Sequence, residues 1–211
     1  LAGEQANDVP EAVPQSHVPP WIVSALARQD FDAIVELGCG YGRRLFEIHY
    51  ECGHKSARLF GGEYTNAGCL LTKELAALDD GVDLTAFKFD HLNPDLSAIP
   101  GFGKVLIFSC HSIEQCEAIP EDYFEALACK AGHVTGVHFE PFGFQASRRL
   151  PGAAKHEDFT HRHKYNQNFF ETARRAHEKG VIHIHWMALD LLKFQPTNPT
   201  SLLIWTKDNT G

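Results

Sequence analysis

No apolar run in this 211-residue chain approaches the ~20 residues needed to cross a bilayer; the longest uncharged apolar stretches lie around Val105 to Phe108 and Leu202 to Trp205. An integral membrane protein is therefore excluded. Positive charge is also in short supply, with 19 Lys+Arg against 27 Asp+Glu and a formal net charge of −8. Little sequence-independent attraction for a phosphate backbone remains, so nucleic acid is not expected as a partner. The six cysteines form no CxxC pair and several sit inside apolar runs, where a free thiol acts as a small hydrophobe, which fits a reducing compartment. The stretch from Leu1 shows no charged region leading into an apolar run, the pattern of a secretory leader. A cytoplasmic protein is the expectation. Internal repeats and low-complexity tracts are lacking too.

What is present suits one domain. The chain is 44% hydrophobic, 11% aromatic and 22% charged, well above the apolar content of disordered chains. Residues 1–15 are polar and aperiodic and read as a flexible arm, leaving 16–211 as the domain. A helix is predicted from Pro19-Pro20 to about Gln29-Asp30. Strands are predicted at Ala33–Leu37, Arg58–Glu63, Leu84–Asp90, Lys104–Cys110, His133–Glu140, Val181–Ala188 and Ser201–Lys207. Helices are expected between the first two strands, from Pro120 to Gly132, and from Tyr165 to Lys179. Short strands alternating with amphipathic segments indicate an α/β, doubly wound, mostly parallel sheet of seven strands. A turn-rich link, Gln195-Pro196-Thr197-Asn198-Pro199, replaces a helix before the last strand, which should therefore pair antiparallel as a hairpin.

The strongest chemical signal is Val35-Glu36-Leu37-Gly38-Cys39-Gly40-Tyr41-Gly42, an apolar strand running into three alternating glycines and then a helix. Such a loop lets the backbone turn sharply, approach a ligand closely and offer helix N–H donors. A dinucleotide fingerprint, G-x-G-x-x-G, would need a third glycine where Arg43 stands. The E-x-G-x-G-x-G spacing resembles motif I of the class I S-adenosylmethionine (SAM) dependent methyltransferases, whose sheet is Rossmann-like. In that family the second strand ends in an acid that holds the ribose hydroxyls, and Glu63 stands there, with Tyr64 beside it to stack on the adenine. The third strand ends in an Asp that meets the adenine amino group, as in Phe89-Asp90-His91.

The resemblance thus implies SAM as cofactor and S-adenosylhomocysteine (SAH) as product. It assigns Glu36, Gly38, Gly40, Gly42, Glu63, Tyr64, Asp90, His91 and Ser109 to cofactor binding. The loop after the fourth strand faces the acceptor in this family; it lacks N/D-P-P-Y, and His111 takes that place as candidate general base. Glu140, at the end of the fifth strand, is expected to orient His111 or to bind the acceptor. Glu114, His138, Tyr165 and Asn168 are the acceptor-binding candidates. Residues 144–164 carry Arg148, Arg149, Lys155, Arg162 and Lys164 against Glu157 and Asp158, and read as a basic substrate cap. His161-x-His163 and His183-x-His185 alternate as strand-borne metal ligands would, but they lack further ligands at a motif spacing, and no metal is expected.

The activity so implied is methyl transfer to a small-molecule acceptor, oxygen first, of the kind found in natural-product tailoring, with a homodimer as a possible assembly. A protein or peptide side-chain methyltransferase and a SAM-binding module without turnover are the alternatives.

Overall fold

The computed structural model describes residues 18–28, 31–53, 57–192 and 197–209. The expected arm at 1–15 lies outside these residues. Seven strands form one sheet: β1 (Ala33–Leu37), β2 (Arg58–Glu63), β3 (Leu84–Lys88), β4 (Phe102–Cys110), β5 (Ala131–Glu140), β6 (His183–Leu192) and β7 (Thr200–Asp208). Their order is β3-β2-β1-β4-β5-β7-β6. All neighbouring pairs from β3 to β5 are parallel, and β7 inserts antiparallel between β5 and β6. The predicted hairpin and its mostly parallel sheet are thus present.

The helices are α1 (Val18–Ala27), α2 (Arg43–Tyr50), α3 (Asn66–Ala76), α4 (Tyr123–Ala128), α5 (Gly143–Ala146), α6 (Ala153–His163) and α7 (Phe169–Glu178). β1 is buried along its whole length, as a central parallel strand covered on both faces must be. Ile34 joins the core that α1 and α2 cover; Val35 and Leu37 join the core on the other side with Phe124, Phe169 and Trp205. Gly136 of β5 is fixed by this second core, because a Cβ there would lie 2.0 Å from the Trp205 indole. Among the described residues no helix is long and apolar enough to cross a membrane.

Three differences from the sequence reading have local causes. The segment 66–76 is a helix whose start is fixed by Thr65, the hydroxyl of which accepts the Gly68 N–H at 3.0 Å. The segment 144–164 is not aperiodic: α5 and α6 occupy most of it. The buried face of α6 is Ala153, His156 and Thr160, so it carries no apolar stripe for a periodicity to detect. Helix formation also separates His161 from His163, since residues two apart point away from each other on a helix. Finally, α7 begins at Phe169 rather than Tyr165, because the Asn166 side chain accepts the Asn168 and Phe169 N–H groups at 3.0 and 2.7 Å and turns the chain just ahead of the helix.

Candidate functional site

Doubly wound sheets bind ligands beyond the carboxyl ends of their strands where the strand order reverses, here between β1 and β4. A cavity of about 540 Å³ opens at that point. Its floor is Gly38 and Gly40 after β1. One wall is Glu63, Tyr64 and Thr65 after β2, with Phe89, Asp90, His91 and Leu92 after β3; the other is His111, Ser112, Gln115 and Cys116 after β4.

The glycines are required by geometry. Gly38 has φ +78°, and a Cβ would lie 2.2 Å from the Ser112 Cβ. Gly40 has φ +61° and faces open space, with nothing within 4 Å of a would-be Cβ. Gly42 also has φ +84° but lies outside the cavity wall, packed against the Thr72 methyl at the start of α2.

Glu63 ties two loops together. Its Oε2 accepts the Gly40 N–H at 3.0 Å, and its Oε1 accepts the Thr65 N–H and hydroxyl at 2.7 Å each. Asp90 turns its own loop by accepting the Leu92 N–H at 2.9 Å. Tyr64 and Leu92 stand at the rim, 63% and 55% exposed, with the Lys88 ammonium 4.9 Å from the Tyr64 ring centroid. His91 is held on both nitrogens. The Ser112 hydroxyl donates to the Leu37 carbonyl at 2.7 Å, so His91 Nε2–H donates to Ser112 Oγ at 3.1 Å and Nδ1 accepts from Tyr123 at 2.8 Å. Burial lowers its pKa to about 4, which keeps the ring neutral.

His111 adopts φ +53°, an uncommon conformation for a side-chain-bearing residue, which turns its ring to the cavity wall. Nδ1 pairs with Glu114 Oε2 at 3.2 Å and Nε2 with the Thr200 hydroxyl at 2.6 Å. Burial lowers its pKa, but the hydrogen bond and charge of Glu114 and the charge of Glu140 outweigh this, and the pKa is raised. The carboxylate that meets the ring is therefore Glu114, not Glu140.

Glu140 is fully buried and acts on the backbone instead. It accepts the N–H groups of Ser112, Ile113 and Glu114 at 3.2, 3.3 and 3.3 Å, holding the short 3₁₀ turn Ile113–Gln115. Behind it runs a chain of donors. Trp205 Nε1–H donates to His138 Nε2 at 2.9 Å, His138 Nδ1–H donates to Ser109 Oγ at 2.9 Å, and the Ser109 hydroxyl donates to Glu140 at 2.8 Å. Ser109, His138 and Glu140 are thus beneath the cavity rather than in its wall. Glu36 is likewise absent from the wall: it points under the sheet to Arg44 at 3.2 Å, and burial raises its pKa to about 7. Asn168 spends its amide on both backbone groups of Ile119, and Tyr165 packs on Phe159 and His163. Thr65, Ser112, Gln115 and Cys116 line the cavity without having been singled out from the sequence.

No family model and no curated protein matches this chain. Solved structures do. Magnesium protoporphyrin IX methyltransferase from Synechocystis PCC 6803, with bound SAH, aligns at TM-score 0.59 and 14% identity over 98% of this chain and 90% of that one. The methyltransferase domain of bacterial CtHen1 aligns at TM-score 0.57 and 14% identity over 92% and 98%. The plantazolicin methyltransferase BpumL, in complex with a monoazolic desmethylPZN analog and SAH, aligns at TM-score 0.55 and 13% identity over 92% and 83%. The chain has the class I methyltransferase fold. Within this methyltransferase fold, the cavity is placed where the strand order turns, as the sheet topology requires.

The buried titratable groups predict a stability profile. Burial lowers the pKa values of His91, His138 and His156 from 6.5 to about 4, 3 and 4. Burial raises those of Glu36 and Glu140 from 4.5 to about 7. Between pH 4.5 and 6.5 the unfolded chain binds three protons on these histidines that the folded chain refuses, while the folded chain keeps two on the glutamates. The balance is one proton in favour of the unfolded state, so stability rises with pH by about 1.4 kcal/mol per unit. Above 6.5 only the raised groups differ, and stability falls as pH passes through about 7. Calorimetric Tm should peak near pH 6.5; a steady rise from pH 5 to 8 would contradict these burial assignments.

Proposed function

We propose that this protein is a SAM-dependent methyltransferase acting on a small-molecule acceptor, with oxygen as the acceptor atom. The observation that carries this reading is the convergence on one cavity of a glycine floor, the Glu63 carboxylate and the Asp90 carboxylate, each from the end of a consecutive parallel strand. The residues fit the cofactor. Gly40 leaves space for a close backbone approach, Glu63 retains lone pairs for vicinal hydroxyls, and Tyr64 and Leu92 offer apolar faces to a purine. When bound, SAM supplies an electrophilic methyl on a sulfonium, and SAH is its product.

The chain's own contribution is orientation and proton removal. Glu114 accepts from His111 Nδ1–H, which leaves the Nε2 lone pair as the basic pole. An acceptor hydroxyl that replaces Thr200 at Nε2 would give its proton to His111 there, while SAM would supply the methyl and leave as SAH. In-line placement supplies most of the rate and His111 a further factor.

Calorimetry with SAM and SAH tests the cofactor assignment: both are expected to bind, and failure of either to bind at millimolar concentration sinks it. Labelled SAM incubated with extract should deposit label in small molecules; label found only in protein overturns the small-molecule reading. His111→Ala should lower kcat about a hundredfold or more while SAM affinity changes little. An unchanged rate removes His111 from the mechanism.

A further inference from the structure

The inward face of α6 holds an unexplained polar group. His156 and Thr160, four residues apart on the same face, are 2% and 1% exposed, and Asn198 ahead of β7 is 6% exposed. Among the described residues, neither ring nitrogen of His156, nor Thr160 Oγ1, nor Asn198 Oδ1 has a hydrogen-bond partner. Buried polar atoms are seldom left so, because each orphan costs about 1–3 kcal/mol. Orphan atoms gathered on one inward face are what a bound polar group would satisfy.

These atoms adjoin the proposed reaction centre. Asn198 Nδ2 donates to Glu114 Oε2 at 2.8 Å, and the same oxygen pairs with His111 Nδ1. One carboxylate therefore joins the orphan group to the ring that lines the cofactor cavity. Burial disfavours a charged His156 ring, and the Asn198 side chain and the charge of Glu114 oppose that. Burial wins over both and lowers the His156 pKa to about 4, so the imidazole is neutral, with one donor and one acceptor. Asn198 Oδ1 only accepts, and the Thr160 hydroxyl does either. The Phe144 ring stands edge-on to His156 with centroids 4.7 Å apart, giving the group an apolar side.

Among the described residues, no Lys or Arg of the cap is buried on this face. The basic residues of the cap turn outward, where Arg148 pairs with Glu157 at 2.8 Å and Arg162 with Asp158 at 2.6 Å. Glu114 repels an anion. The cap is thus basic on its outside and neutral-polar within.

We infer that His156, Thr160 and Asn198 form the acceptor-recognition subsite, and that it takes a hydroxyl- or amine-bearing head group in preference to a carboxylate or phosphate. This rests on the methyltransferase reading, since it assigns the acceptor of the same site.

The test is calorimetry on the full chain saturated with SAH, using catechol, tyramine and benzoate as probes of one ring size. Catechol and tyramine are expected to bind at least tenfold more tightly than benzoate. Thr160→Val removes a hydroxyl that holds no partner, so it should leave Tm and SAH affinity unchanged and weaken catechol about tenfold, the worth of one hydrogen bond. His156→Phe should do the same should Thr160→Val fold poorly. Benzoate binding as tightly as the others, or no binding of catechol and tyramine, overturns the subsite. So does unchanged catechol affinity in Thr160→Val with a lowered Tm, the result expected of orphan atoms that only hold structural water. Loss of SAH binding by the wild-type chain would instead remove the underlying methyltransferase reading.

Discussion

Glu140→Ala is expected to destabilise the protein by about 4 kcal/mol, although its carboxylate never reaches the cavity. The side chain accepts three backbone N–H groups of the loop after β4 and the Ser109 hydroxyl. Alanine leaves those donors without an acceptor in a buried setting, at about 1–3 kcal/mol for each group left unsatisfied. Some relief comes from water entering the space, which is why the total is set near the lower end of that sum. A change of this size is a large part of a stability of about 5–15 kcal/mol and should lower Tm by about 8–16 °C. Urea denaturation of the variant at pH 7 measures it directly. A loss below about 1 kcal/mol would show that the loop is held by other means. Activity should fall as well, because Ser112 and His111 are positioned by the turn that Glu140 holds, and Ser109→Ala should reproduce the effect in smaller measure.

Glu140 also shows what the sequence could and could not reveal about this site. β1, β4 and β5 are covered on both faces, so alternation tells which side chains share a face but not which of them meets a cavity. The cavity opens beyond the last ladder pairs. Gly38, Asp90, His91 and His111 all follow the end of a strand and line it, whereas Glu36, Ser109 and His138 lie inside the ladder and are covered. Glu140 is the last residue of β5, yet β7 runs beside it with Ser201 as its partner, and the 3₁₀ turn closes over it. Glu63 also ends its strand, but it has no such cover and reaches Gly40. The glycine spacing and the two strand-end acids were legible because each is a local pattern of residue type. The Glu114–His111 pairing depends on a left-handed backbone at His111, and the His156 group on a helix whose inner face is polar; neither leaves a periodic trace.

Glu63→Ala should weaken SAM binding at least a hundredfold and also lower stability, by less than Glu140→Ala because the donors it leaves are only partly buried. Two contributions add. The carboxylate holds the glycine floor to the β2–α3 turn through Gly40 and Thr65, so the cavity is shaped before any ligand arrives. Each oxygen also keeps accepting capacity for a ribose hydroxyl, and a hydrogen bond to a charged group is worth about 1.5–3 kcal/mol. Two such bonds correspond to about 3–6 kcal/mol, a factor above one hundred in Kd. Glu63→Gln separates the contributions. Its amide oxygen still serves one set of donors, but its NH₂ must face either the Gly40 N–H or the Thr65 N–H and hydroxyl, donor against donor. The Gln variant should therefore bind more weakly than wild type and more tightly than Ala. Calorimetric titration of SAM and SAH into the three proteins reads all of this. A shift under about threefold in Glu63→Ala would mean that this carboxylate only closes a turn, and the cofactor's position in the cavity would need another anchor.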